Sequence, residues 1–326
     1  MTDAAPRVLY IGGMGRSGST VLQAMLGQLT GFVAAGELRY IWQRGPIDDV
    51  LCSCGETFSR CPFWTKVGRQ AFGGWDQVNI HDVVALQKSV DRHRYLPEII
   101  TPAARSRFVA QLDFYQGLVV RLYDALATVA GASVIVDSTK DPPHAFILRR
   151  AFGDRLRIAH LVRDSRGVAY SWTSRVQRPE VAHGRAAYMD QVSPSAMALK
   201  WIDYNLLFHL LAALGSRTVL LRYEDMVQAP GDALRRLISL AGEPAPTGPL
   251  PGEDGSVVIR PEHTLSGNPL RFSTGPISLR VDERWRESMP ASQRRLVSAI
   301  TAPLLAAYGY TPRRRLRSSP HGTRPA

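Results

Sequence analysis

The chain predicts an α/β fold in which a central, mainly parallel sheet is flanked by helices, and three observations carry that prediction. Short apolar runs (Val8 to Ile11, Ser133 to Asp137, Leu156 to Val162 and Arg217 to Arg222) have the composition of strands buried on both faces. Between them lie segments whose apolar residues recur at three- and four-residue steps, as helices packed on a sheet require. The 326 residues, 45% of them hydrophobic, are enough for one large domain with a full core.

The first strand leads into the stretch that organises the rest, Arg7 to Gly27, RVLYIGGMGRSGSTVLQAMLG. Gly12, Gly13, Gly15 and Gly18 permit a tight turn whose backbone N–H groups point inward at an anion. Ser19 and Thr20 open a helix with Val21, Leu22, Met25, Leu26 and Leu29 on its apolar side, so its positive end faces the loop. From Gly13 the loop matches G-x-x-x-x-G-K-[ST] at every fixed position but one: Ser19 stands where the phosphate-gripping lysine belongs. The fold is therefore P-loop-like, a three-layer arrangement, but the loop must draw its positive charge from Arg16, whose guanidinium can fork across two anionic oxygens.

The loop Gly15-Arg16-Ser17-Gly18-Ser19-Thr20 at the end of the first strand resembles the 5′-phosphosulfate loop of sulfotransferases that use 3′-phosphoadenosine 5′-phosphosulfate (PAPS) as co-substrate. Further motifs follow in order. Phe32 to Leu38, FVAAGEL, is a small-residue strand or turn that presents Glu37; from position alone Glu37 is either a base or a first-turn glutamate of the helix Leu38 to Gln43. Carbohydrate and tyrosylprotein sulfotransferases have a Gly-Glu at this distance, and the resemblance implies that Glu37 is the general base.

All three cysteines, Cys52, Cys54 and Cys61, lie in LCSCGETFSRCPFW. Three thiolates with no nearby histidine make an incomplete zinc site, with His81 as the conceivable fourth ligand, and the expectation is no metal: thiols that pack a surface segment, with a reversible disulfide as the minor reading. Similar segments ending in C-P-F-W occur in bacterial members of the family, which implies a place beside the acceptor pocket. Asn79 to Gly131 is helical, and Thr101 with Pro102 reads as the start of its second part, whose stripe from Phe108 to Val129 is core.

The strand SVIVD ends at STKDPPHA, where Asp141, Pro142 and Pro143 start a helix and Lys140 lies at a strand's carboxyl end, the place where open α/β sheets hold ligands. A lysine in a similar K-D-P context supports the leaving group in tyrosylprotein sulfotransferases, and the resemblance carries that role to Lys140; Arg16, from its place in the loop, is expected to converge on the same leaving oxygen. The strand Leu156 to Val162 is followed by Arg163 and Asp164, then by a helix with Ser171, eight residues beyond the arginine. This resembles the family's 3′-phosphate motif R-D-P-R-x-x-x-x-S, with Ser165 in place of the proline. Ser193 to Gly215 reads as a long helix with Trp201, Leu206, Leu207, Leu210 and Leu211 inward. The next strand ends in Tyr223-Glu224-Asp225, where the resemblance places the tyrosine against the nucleotide and gives the acidic pair a structural role. Gly267, Asn268 and Arg271 in HTLSGNPLRF match the S-G-N-P-x-R pattern of a loop that closes over the nucleotide.

Forty basic against twenty-eight acidic residues give +12, which suggests anionic ligands. Residues 1–312 are expected to form the sulfotransferase domain, and 313–326, RRRLRSSPHGTRPA, a basic, disordered tail carrying five of those charges. No run reaches the roughly 18 apolar residues that span a bilayer, and the start lacks the order of a signal peptide, so the expected location is the cytoplasm. The function so implied is transfer of a sulfuryl group to the hydroxyl of a small-molecule, glycolipid or carbohydrate acceptor by in-line displacement. Two other classes compete. A P-loop kinase of a small molecule would lack its lysine and any clear magnesium carboxylate, and a non-catalytic binder of nucleotide or nucleic acid would not interleave its charge this poorly with stacking aromatics. No dedicated nucleic-acid partner is expected, and nothing in the sequence sets the oligomeric state or the acceptor.

Overall fold

The computed structural model describes residues 5–101, 106–174, 177–178, 187–188, 191–244, 250–260 and 262–310. From the start the chain alternates strand and helix: β1 (Arg7–Gly12), α1 (Ser19–Leu26) and β2 (Phe32–Gly36). A helical excursion follows, with α2 (Pro62–Phe72), α3 (Ile80–Val90), the short α4 (Leu96–Ile100) and the long α5 (Arg107–Ala130). The alternation resumes with β3 (Val134–Lys140), α6 (Pro142–Phe152), β4 (Leu156–Val162) and α7 (Ser165–Thr173). After a two-residue ladder of β5 (Gln177–Arg178) with β6 (Ala187–Tyr188) come α8 (Pro194–Ala213), β7 (Arg217–Arg222), α9 (Tyr223–Gln228) and α10 (Pro230–Ala241). The antiparallel pair β8 (Ser256–Ile259) and β9 (Gly275–Ser278) precedes α11 (Trp285–Ser288) and α12 (Ala291–Ala307).

Five strands form one sheet in the order β2-β3-β1-β4-β7, every pairing parallel. Side-chain alternation along β1 makes the three layers. Val8 and Tyr10 point to the face covered by α2, α3, α5 and α6, whereas Leu9 and Ile11 point to the face covered by α1, α9 and α10. A third cluster, with Val168, Trp201, Val297 and Met14, joins α7, α8 and α12 beside the sheet. The chain crosses from β3, on one side of β1, to β4 on the other, so the strand order reverses at β1 and a crevice opens beyond the carboxyl ends there.

Two expectations, one of a boundary and one of a buried face, are corrected. The long helix starts at Arg107, because Ser106 supplies the cap: its Oγ accepts from the Val109 N–H at 3.2 Å. Thr101 instead ends α4, and Pro102 lies outside the described residues. In α8, Leu206 and Leu210 face outward (51% and 38% exposed), while Tyr204, Asn205 and Phe208 join Trp201 and Leu211 inside. This helix is apolar around most of its circumference, so its periodicity leaves the buried face undecided until packing chooses it. No described helix is long and apolar enough to cross a membrane.

Candidate active site

Each of the five strand ends delivers one part of a single cleft of about 900 Å³. β1 supplies Gly15, Arg16, Gly18, Ser19 and Thr20; β2, Glu37; β3, Lys140; β4, Arg163; and β7, Tyr223. Ser171 from α7 and Gly267 with Asn268 from the segment before β9 join them, so that of the sequence-predicted residues Ser17 and Arg271 alone are not in the lining. Six cations (Arg16, Arg44, Lys140, Arg163, Lys200 and Arg284) against three carboxylates (Glu37, Asp141 and Asp282) line it, a balance suited to an anion.

The loop after β1 has the form an anion cradle needs. Gly18 sits at the N-cap of α1 with φ 86°, no side chain caps the first turn, and a Cβ at this position would lie 2.6 Å from the Tyr223 ring. Arg16 has φ 72° and Lys140 φ 73°, two of the three left-handed non-glycine residues among the described ones, a conformation that costs on the order of 1 to 3 kcal/mol. Ser17 is buried beside the loop rather than lining the cleft, and its hydroxyl makes no hydrogen bond among the described residues. Trp172 Nε1 donates to the Gly15 carbonyl at 3.1 Å, tying the loop to α7.

Arg163 ties the second anion element to the first. Its guanidinium is nearly buried, donates to the Arg16 carbonyl at 2.8 Å, pairs with Asp282 at 3.2 Å, and lies 4.6 Å over the Tyr223 ring. Asp282 also takes two bonds from Arg284; these hydrogen bonds, then the nearby Arg163 charge, outweigh burial and hold its carboxyl at about 2. Glu224 keeps to a structural task, accepting from the Asp164 N–H at 3.3 Å and from the Tyr310 hydroxyl at 2.6 Å.

Glu37 does not cap the turn that follows it. Its Oε1 instead lies 2.5 Å from Lys140 Nζ, which also donates to the Ser138 carbonyl. Beneath this pair runs a buried network. Arg39 bridges Asp91 (2.9 Å) and Asp141 (2.9 Å), His144 Nδ1 lies 3.1 Å from Asp91, and Tyr123 donates to Asp137 at 2.5 Å. Burial alone would raise the Asp91 carboxyl, but the hydrogen bond from His144 and the Arg39 charge overcome it and leave the group below its ordinary value. A depressed carboxylate contributes stability that is present above its unfolded pKa, about 3.9, and is lost as pH falls through the folded value. We therefore expect Asp91→Ala to cost about 3 to 5 kcal/mol in urea unfolding at neutral pH, and Asp91→Asn to lose less stability than wild type on going below about pH 4.

Three placements differ from the sequence reading. Arg271 does not line the cleft: it is buried, and its Nη1 donates to the Gly267 carbonyl at 3.2 Å, holding the loop from behind. The cysteines pack beneath a segment that exposes Gly55, Glu56, Ser59 and Arg60, but they do not border the cleft. Cys52 and Cys61 are fully buried, and the histidine beside them is His263, not the exposed His81. Sequence reasoning missed Tyr40, Arg44, Lys200, Tyr204 and Arg284, which line the cleft. Tyr40 and Tyr204 both donate to the Asp141 carboxylate, at 2.7 and 2.5 Å; the i,i+4 spacing of Lys200 and Tyr204 on one helix was the available signal.

No curated protein matches the chain in sequence. Among solved structures, it is similar to the sulfotransferase domain of the Synechococcus olefin synthase, at 18% identity and TM-score 0.47 over 93% of this chain and 96% of that one. It is also similar to the sulfotransferase domain from the curacin biosynthetic pathway (16%, 0.49, 93% and 98%) and to a Mycobacterium avium sulfotransferase (16%, 0.44, 93% and 77%). The model of the sulfotransferase family matches residues 7–247, which span all five strands of the sheet. The chain thus belongs to the sulfotransferase family, enzymes that use 3′-phosphoadenosine 5′-phosphosulfate.

Proposed function

We propose that this enzyme moves the sulfuryl group of PAPS onto the hydroxyl of a small-molecule, glycolipid or carbohydrate acceptor by in-line displacement. The observation that carries the reading is the meeting, in one cleft, of two anion elements from adjacent strand ends with a carboxylate and an ammonium from the next two. The uncapped N-terminus of α1, Arg16 and the loop amides suit the 5′-phosphosulfate; Arg163 and Ser171 suit the 3′-phosphate; Tyr223, Gly267 and Asn268 border the remainder. When bound, the donor supplies an activated sulfur–oxygen bond. Glu37 accepts the proton of the attacking hydroxyl as its oxygen bonds to sulfur, and Lys140 with Arg16 neutralises the charge left on the departing phosphate oxygen. In the free enzyme the base and the ammonium pair with each other, and a bound donor would draw Lys140 toward the leaving oxygen and leave both Glu37 oxygens open to the acceptor's proton.

Arg163→Ala tests the nucleotide assignment. It should weaken binding of 3′-phosphoadenosine 5′-phosphate by about 2 to 3 kcal/mol more than binding of adenosine 5′-phosphate, measured calorimetrically. Some loss common to both is expected, because Arg163 also holds the Arg16 carbonyl. Equal losses for the two nucleotides would remove the 3′-phosphate role. The acceptor class is tested by untargeted mass spectrometry for sulfonated products in extracts incubated with donor and enzyme; sulfonation of amines alone would overturn the hydroxyl assignment.

A further inference from the structure

Cys52, Cys54, Cys61 and His263 bring one ligand atom each to a common point, all four atoms lying within 4.8 Å of one another. The sulfurs of Cys54 and Cys61 are 3.7 Å apart and those of Cys52 and Cys61 3.8 Å; His263 Nδ1 is 3.8 Å from Cys52 Sγ and 3.3 Å from Cys61 Sγ. A tetrahedral zinc ion with Zn–S near 2.3 Å and Zn–N near 2.0 to 2.1 Å requires S···S edges of about 3.8 Å and S···N edges of about 3.5 Å. The four edges among these pairs come within about 0.3 Å of those lengths, and the remaining two are no longer than 4.8 Å, a span that a small side-chain adjustment around an ion would close. Sulfurs this far apart are not disulfide-bonded, and an odd number of cysteines leaves one unpaired under any pairing.

From these distances we propose that the protein binds a structural zinc ion through Cys52, Cys54, Cys61 and His263 Nδ1. The surroundings have what such a site needs. Cys61 is the N-cap residue of α2, which sets it at the positive end of that helix. The His263 ring stacks on Phe63 (centroids 4.6 Å apart, planes 7° apart), which fixes the direction of its Nδ1. Four protein ligands close the tetrahedron, and none of the four residues lines the catalytic cleft, so the ion is structural and takes no part in sulfuryl transfer.

The ion would staple two distant parts of the chain. Ser53, between two of the cysteines, already clasps the histidine's segment: its Oγ donates to the Glu262 carbonyl at 2.7 Å and accepts from the Thr264 N–H at 3.0 Å. That segment runs directly into Ser266, Gly267 and Asn268 of the cleft wall, where a Cβ on Gly267 would stand 3.6 Å from Glu37 Oε1. Zinc therefore holds the wall opposite the proposed base, and its loss should loosen that wall without touching the chemistry of Glu37.

The test is elemental analysis of the whole chain, purified without a polyhistidine tag and under reductant. About one zinc per chain is expected, lost in His263→Ala and in Cys61→Ser and retained in His81→Ala. Because a cysteine variant can fail to fold, the wild type is also unfolded with chelator and refolded with cobalt(II), which should give the intense visible bands of a tetrahedral thiolate site. Three freely titrating thiols with no zinc after refolding in its presence, no tetrahedral cobalt spectrum, or a disulfide between any two of these cysteines would each overturn the proposal.

Discussion

Glu37→Gln is expected to bind 3′-phosphoadenosine 5′-phosphate as tightly as wild type and to lose about 10²- to 10⁴-fold in kcat, the span typical of removing a general base. The choice of Glu37 as base rests on its having fewer partners than the other carboxylates that line the cleft. Asp141 is spoken for by Arg39, Tyr40 and Tyr204, and Asp282 by Arg163 and Arg284. Glu37 has one side-chain partner among the described residues, Lys140 Nζ, which donates to a single carboxylate oxygen, and the residue lines the cleft. Glutamine keeps an acceptor for that ammonium and keeps the side-chain volume, so the cleft should retain its shape while losing its proton acceptor. An acceptor with an unusually acidic hydroxyl needs less help and should narrow the gap between variant and wild type. Normal turnover of an ordinary alcohol by the variant would place the base elsewhere. Neither histidine near the site would then be the first to test, since His144 is buried against Asp91 and His263 turns its Nδ1 to the cysteines; Asp141 would be.

Much of this site was legible because it is built at strand ends. An apolar run that stops abruptly at a glycine, a charge or a proline marks both the strand and the place where a parallel sheet presents its ligands, as at Gly15, Lys140 and Arg163, while Tyr223 at the fourth such end rests on the family resemblance. The helical contributions were not legible. Lys200 and Tyr204 reach the cleft only because α8 turns one face inward, and a helix apolar on nearly all sides carries no pattern that says which face this is. Arg271 failed for a local reason: Asn268 caps a tight turn, its Oδ1 accepting from the Leu270 N–H at 3.0 Å, and the turn winds the arginine back onto its own loop. The fourth partner of the cysteines was hidden by distance along the chain. His81 is near in sequence and His263 is 202 residues from Cys61; only the fold, through the Ser53 clasp, makes the distant one the neighbour.

Lys140→Ala should fail differently from Glu37→Gln, and the difference separates the two ends of the reaction. Removing one preorganised donor from a developing oxyanion costs roughly 10²- to 10³-fold in kcat. Lys140 sits where β3 ends against Gly12 of β1, at a register shift between the two strands, in the left-handed conformation that turns its side chain toward Glu37 and the phosphate loop. Its deficit should shrink with a phosphosulfate analogue whose phosphate is a better leaving group, because less charge then gathers on the bridging oxygen; the Glu37→Gln deficit should be indifferent to that change. Backbone relief is controlled by Lys140→Gly, which accepts positive φ freely and should be as inactive as the alanine variant if the ammonium is what matters. Since the two groups would act on one transition state, and are paired without donor, the double variant should lose less than the product of the single losses. A Lys140→Ala deficit that stays constant across leaving groups would mean that the lysine only positions Glu37, and the charge on the departing oxygen would then fall to Arg16 and the N-terminus of α1.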